Sequence, residues 1–174
     1  MGQIPQKLVD YAVYKQNTNN MLGTGDITLP SFEAMVTETS GAGIYGALEV
    51  PTPGMFGSQT LGIAWNTLNS DAAEMMSTEG VKLEIRGAQQ SFDSGLQKIV
   101  YEPVKIVFHG LGKNFEAGTL TKNESTGTNT ELELMYFKMF VNNKEVLEID
   151  KMNYVYRING VDQNAAIKKA LGMI

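Results

Sequence analysis

The chain has 174 residues, a formal net charge of −5 and no cysteine. That length supports one domain with a real core, and the missing cysteines exclude both a disulfide framework and a thiolate nucleophile. The acidic balance argues against general nucleic-acid binding, which needs a basic face, and no apolar run of about 18 residues is present to cross a membrane as a helix.

The opening segment, MGQIPQKLVDYAVY, lacks the apolar core of a signal peptide, so synthesis in the cytoplasm is expected. The sequon Asn123-Glu124-Ser125 then reads as coincidence. Leu8 to Gln16 predicts a first strand, ended by Asn17-Thr18-Asn19-Asn20. Ile27 to Thr39 predicts a strand broken at Pro30. Gly41 to Gly46 reads as a flexible corner. Ala47 to Val50 is short and extended, because Pro51 and Pro53 forbid a helix. Thr60 to Trp65 predicts another strand.

Asn69 to Thr78 is the first helix candidate, capped by Asn69 or Ser70 and stopped by Gly80. Val81, Leu83 and Ile85 alternate with Lys82, Glu84 and Arg86, which predicts a half-buried strand. Ile99 to Gly112 is β-branched and aromatic. Asn114 to Thr130 is polar and reads as a loop or hairpin tip. In Glu131 to Val141 the apolar register shifts: Leu132 and Leu134 share one face, Met135, Phe137 and Met139 the other. That pattern fits a bulge or a strand touching two layers. Asn142-Asn143 predicts a tight turn between this strand and Glu145 to Asp150. Met152 to Ile158 follows as a strand. Gln163 to Leu171 is a helix with Asp162 as cap and Lys168 and Lys169 near its negative end. With no internal repeat, the expected fold is mainly β: two sheets in a sandwich or barrel-like domain over residues 1–174, with one or two short flanking helices.

No constellation carries chemistry. GAGIYG matches a dinucleotide fingerprint in letters, but two prolines and a glycine follow where the phosphate-binding helix must start. His109, the single histidine, lies in a strand without a neighbouring nucleophile or ligand set and reads as structural. Glu131/Glu133 and Glu148/Asp150 alternate with apolar residues, so both pairs are expected on wet faces rather than as a general acid–base pair. The ten methionines suit core packing or an adaptable protein surface. The strand aromatics Tyr136, Phe137, Phe140, Tyr154 and Tyr156 have only Lys138 and Arg157 close by, too few cations for a single-strand stacking platform. Catalytic, cofactor and metal residues are therefore all expected to be none.

Several strings in fixed order do carry a likeness. They are DITLP (Asp26 to Pro30), GAGIYGALEV, the IAW strand (Ile63 to Trp65), FEAGTLTKNESTGTNTELELMYFKMFV, and NNKEVLEIDKMNYVYRINGVDQNAAIKKALG. From Lys7 to Leu171 the chain resembles the major tail tube proteins of contractile-tailed bacteriophages, a family also used in phage-tail-like bacteriocins. Its Asn142-Asn143 turn departs from the Asp-Gly or Asn-Gly expected there. The resemblance implies a virion structural subunit, not an enzyme. Six copies would form a ring, and rings would stack into a tube inside a contractile sheath. Each copy would lend four strands to a shared barrel. Twenty-four strands make a barrel roughly 45–50 Å across, wide enough to pass DNA without specific binding. Implied partners are further copies, the sheath protein, a baseplate tube initiator and a tape-measure protein. Strand alternation then places Glu131, Glu133, Glu33 and Glu38 toward the bore. Gly41, Gly43, Gly46, Met55, Phe56, Phe115, Lys168 and Lys169 are expected at contacts between copies. A type VI secretion tube shares the fold and symmetry, and a monomeric β-sandwich binding module is the rival from another class.

Overall fold

The computed structural model describes residues 2–173. They form β1 (Gln3–Lys15), β2 (Met21–Leu22), β3 (Ile27–Thr28), β4 (Ala34–Gly41), β5 (Ile44–Phe56), β6 (Thr60–Trp65), α1 (Ser70–Glu74), β7 (Val81–Asp93), β8 (Lys98–Glu116), β9 (Thr128–Val141), β10 (Lys144–Asp150), β11 (Val155–Ile158), β12 (Val161–Asp162) and α2 (Ala165–Ala170). Ten strands share one antiparallel sheet, ordered β12-β11-β10-β9-β8-β7-β1-β2, with β6 also on β9 and β3 on β6. Strands β4 and β5 stand apart as a second, two-stranded sheet. The expected mainly-β, two-sheet class is what the chain adopts.

The core follows from alternation. Leu61, Ile63 and Trp65 of β6 pack with Leu83 and Ile85 of β7, Ile106 and Phe108 of β8, and Leu132, Leu134 and Phe137 of β9. Val13 of β1 joins the same cluster, so the long sheet curls until its distant strands meet over shared apolar side chains. The indole N–H of Trp65 donates to Thr130 Oγ1 at 3.1 Å, which satisfies its one polar group inside the core.

The register shift in β9 is a bulge. His109 pairs with Tyr136 and Gly110 with Leu134, leaving Met135 as the extra residue. Before it, β9 pairs β6 from Trp65↔Thr128 to Thr60↔Glu133; after it, β9 pairs β10. Met135 is the fork at which one strand passes from one partner to another. The Asn142-Asn143 turn has φ of 49° and 61°, the mirror-image geometry that two-residue hairpins favour.

Several local expectations change. The corner at Gly41 to Gly46 is the tight end of the β4–β5 hairpin: Gly41 faces Ile44 across Ala42 and Gly43, and Gly43 takes φ +90°. The short Ala47 to Val50 strand extends over all of β5, since both of its prolines sit where one side of the strand is unpaired. Strand β1 starts at Gln3 rather than Leu8. The polar Asn114 to Thr130 stretch is ordered strand at both ends, and β11 begins only at Val155 after a turn at residues 151–154. Helix α1 is shorter than expected. Asn69 Oδ1 accepts from the Asp71 amide at 2.9 Å, but the helix ends at Glu74 once Ala72 and Met75 are buried. Asn164, not Asp162, occupies the N-cap of α2; the Asp162 carboxylate accepts from the Asn164 amide and from Lys168 Nζ instead.

Candidate functional site

The β4–β5 hairpin is exposed along most of its length. None of the residues 35–51 is buried, and Tyr45 at its tip is fully exposed. Its two faces differ. The pairs Thr37↔Val50 and Thr39↔Leu48 lie on one face, Glu38↔Glu49 and Ser40↔Ala47 on the other. One face is aliphatic with two threonines; the opposite face sets two carboxylates against each other. Residues 34–56 hold no lysine or arginine, and a lone two-stranded ribbon is marginal in water. The hairpin's base supplies the rigidity its length lacks. Phe32 stacks edge-on against Phe56 (5.9 Å) and Phe137 (5.0 Å), and Phe56 against Tyr156 (5.3 Å).

A second projecting element lies at the other end. Residues 3–10 of β1, 87–93 of β7 and 98–104 of β8 extend past the core as a three-stranded arm. Strand β9 pairs β8 only from Val104 onward, and β2 touches β1 only at Val13 and Tyr14. The arm thus leaves two strand borders without partners among the described residues, as the hairpin does. Its turn is held by Asp93 Oδ1, which accepts from the amides of Gly95 and Leu96 at 2.9 Å each.

The expected bore residues fall in three environments. Glu33 and Glu38 are exposed and have no ion-pair partner among the described residues. Glu131 is half-buried on the outer side of β9. Glu133 shares that face but is tied down: it accepts from Ser58 Oγ (2.8 Å), the Gln59 amide (3.2 Å) and Lys113 Nζ (3.2 Å). Burial pushes its carboxyl upward, and those bonds with the Lys113 charge outweigh that, leaving it below the usual glutamate range.

Glu148 corrects an expectation. It is 8% exposed, not on a wet face, and takes bonds from Arg157 (2.8 Å) and Tyr136 Oη (3.0 Å), with Lys138 at 3.6 Å. Burial raises its carboxyl, but the Tyr136 bond and the two cations hold it low; burial and Glu148 together push the Tyr136 phenol upward. All these partners come from β9 and β11, the two strands flanking β10, so the cluster is a structural clamp. His109 is likewise packing: Nε2 donates to Gln16 Oε1 at 2.6 Å and the ring lies 4.8 Å from Tyr136. Burial first, then the Lys82 charge, lowers its pKa.

Of the expected contact residues, Gly41, Gly43 and Gly46 form the exposed end of the hairpin and Met55 lies exposed near its base. Phe56 is engaged inside the subunit, Phe115 packs against the core, and Lys168 pairs with Asp162 at 2.8 Å. Lys169 is exposed on α2. Sequence reasoning missed Glu49, whose role appears only when the Gly41–Ile44 turn brings it opposite Glu38. No group of three or more histidines, cysteines or carboxylates with metal-site geometry exists among the described residues.

The chain thus carries two projecting β elements with open strand borders among its described residues. Residues 5–172 match the family model described as phage tail tube protein FII. The chain belongs to that family. It is similar to the tail tube protein of Escherichia phage P2, 24% identical over 98% of this chain and 99% of the relative. It is also similar to the major tail tube protein of Serratia phage KSP20, 22% identical over 90% of each. The tube protein is therefore a structural component of a phage tail, a virion part rather than an enzyme, and no helix of its described residues is long and apolar enough to cross a membrane.

Proposed function

We propose that six copies close into a ring, that rings stack into a hollow tube inside a contractile sheath, and that the tube conducts DNA during ejection. Assembly in the host cytoplasm, a baseplate initiator and a tape-measure protein belong to the same reading. The observation that carries it is the two-faced β4–β5 hairpin: an unpaired ribbon with one aliphatic face and one acidic face. In a tube wall, the aliphatic face packs outward on protein and the acidic face looks inward on water. The outer edge of β4 has no proline, whereas β5 carries Pro51 and Pro53, which cannot donate; β4 is thus the border suited to a neighbour's strand.

Glu38, with Glu49 beside it, is the acid this arrangement places most directly in the bore, and Glu33, Glu131 and Glu133 extend the same lining. Glu133 contributes least free charge, because Lys113 already matches it. A bore of unpaired carboxylates repels phosphate, so DNA slides instead of sticking. The hairpin end at Gly41, Gly43 and Gly46, the Met55–Phe56 base, the segment 114–130 with Phe115, and α2 with Lys168 and Lys169 make the contacts within and between rings.

Converting both Glu38 and Glu49 to Lys tests the lining. The variant keeps a like-charge pair across the hairpin, so tube formation is expected to persist. DNA release, followed by dye fluorescence on particles built with the variant, is expected to slow roughly tenfold or more. Normal release from intact variant tubes removes these acids from the bore; failure to form tubes places them in a contact instead.

A further inference from the structure

Past Ile85 and Ile106 the inner face of the arm is only half-buried, Ser91 apart. Ile85 and Ile106 lie in the core; on the same face Val104 packs against that core, and Gly87, Gln89 and Glu102 follow it half-buried. Ile27 and Leu29 come up against this stretch. There they share a groove of about 160 Å³ with Leu8, Gly87, Val104 and Ile106. Leu8 and Leu29, which line it, are each 48% exposed.

The same chain carries a piece of sheet with one apolar face and nothing against it. Leu48 and Val50 are 55% and 42% exposed in the subunit, so its own hairpin does not fill its own groove. The hairpin's base is fastened by Phe32, Phe56, Phe137 and Tyr156, on the β9 and β11 side of the molecule. Members of this family build tubes from copies, so each copy must bury surface against another.

We infer that the groove receives the β4–β5 hairpin of a second copy, with Leu48 and Val50 seated between Leu8 and Leu29. Side chains two apart on a strand stand about 6.6–6.8 Å from one another, a spacing that sets two aliphatic groups along one trough. The hairpin lies over the arm as the second layer of a sandwich, about 10 Å away. Thr37 and Thr39 lie on the same hairpin face and bring hydroxyl donors toward Gln89 and Glu102. Glu38 and Glu49 then point away from the contact, which leaves them free to face a bore. The contact is heterologous: each copy offers one hairpin and one groove, and the chain of contacts closes into a ring. This rests on the tube reading above and adds to it the surfaces that meet.

The absence of native cysteine makes the test direct. A Leu8→Cys/Leu48→Cys chain and a Leu29→Cys/Val50→Cys chain are assembled, oxidised and run on a denaturing gel without reductant. At least one is expected to give a ladder of covalent multimers, which either single variant alone cannot form. Should a double variant fail to assemble, separate Leu8→Cys and Leu48→Cys chains doped into wild-type protein are expected to give a covalent dimer. Tubes visible by microscopy without any such cross-link overturn the groove while sparing the tube. Wild-type protein that never assembles overturns both.

Discussion

Replacing Thr37 to Val50 by a short glycine-containing turn is expected to abolish tube formation and leave a folded monomer. No residue in that stretch is buried, and none belongs to the core cluster. The aromatic base stays, because Phe32 and Phe56 lie outside the deletion. The thermal midpoint should therefore shift by no more than a few degrees, since exposed segments remote from a core change stability by about 0.5 kcal/mol or less. Assembly loses both the free border of β4 and the aliphatic face of β5. Light scattering of the concentrated variant should report monomer alone. Tubes of normal width from the shortened chain would move the assembly surface elsewhere.

Gly112→Ala is expected to destabilise the fold markedly. A Cβ at Gly112 would stand 2.3 Å from the Met75 carbonyl oxygen and 2.9 Å from Met76 Cα. Both are backbone atoms, so no side-chain rotation relieves the clash; α1 must lift off β8. The move also disturbs Ala72 and Met75, which the helix buries over the β6 side of the core. Overpacking of this kind costs about 1–3 kcal/mol, which for a chain this long lowers the melting midpoint by roughly 3–10 °C. Calorimetry checks it. An unchanged midpoint would mean that α1 is not seated on the strand.

The features that could be read from sequence are those with a local signature. Leu61, Ile63 and Trp65 announce β6 by strict alternation, and its observed limits match. The break in apolar register at Met135 gave the bulge, because a change of buried face within one strand has few geometric causes. Asn142-Asn143 gave its turn because asparagine tolerates positive φ. What stayed hidden depends on distant chain. GAGIYG reads as slack when its glycines are taken alone; as Gly41↔Ile44 they start a ladder, and only that ladder puts Glu49 across from Glu38. Glu148 looked wet from its neighbours Leu147 and Ile149, yet Tyr136, Lys138 and Arg157 reach it from flanking strands. The approach of α1 to Gly112 has no local signature, since glycine in a strand is equally consistent with a bulge or a turn. The groove on the arm is hidden for the same reason: Gly87, Gln89 and Val104 meet Leu8 and Leu29 only once the chain is folded.

Assembly through open β borders is what every proposed property requires, from the acidic bore to the occupied groove. Electron cryomicroscopy of the concentrated protein measures it directly. The expected result is sixfold rings or stacked tubes about 80–100 Å wide, with β4 and β5 of each copy paired or packed against a neighbour. A monodisperse monomer, or tubes in which the β4–β5 hairpin stands free in solvent, would contradict it.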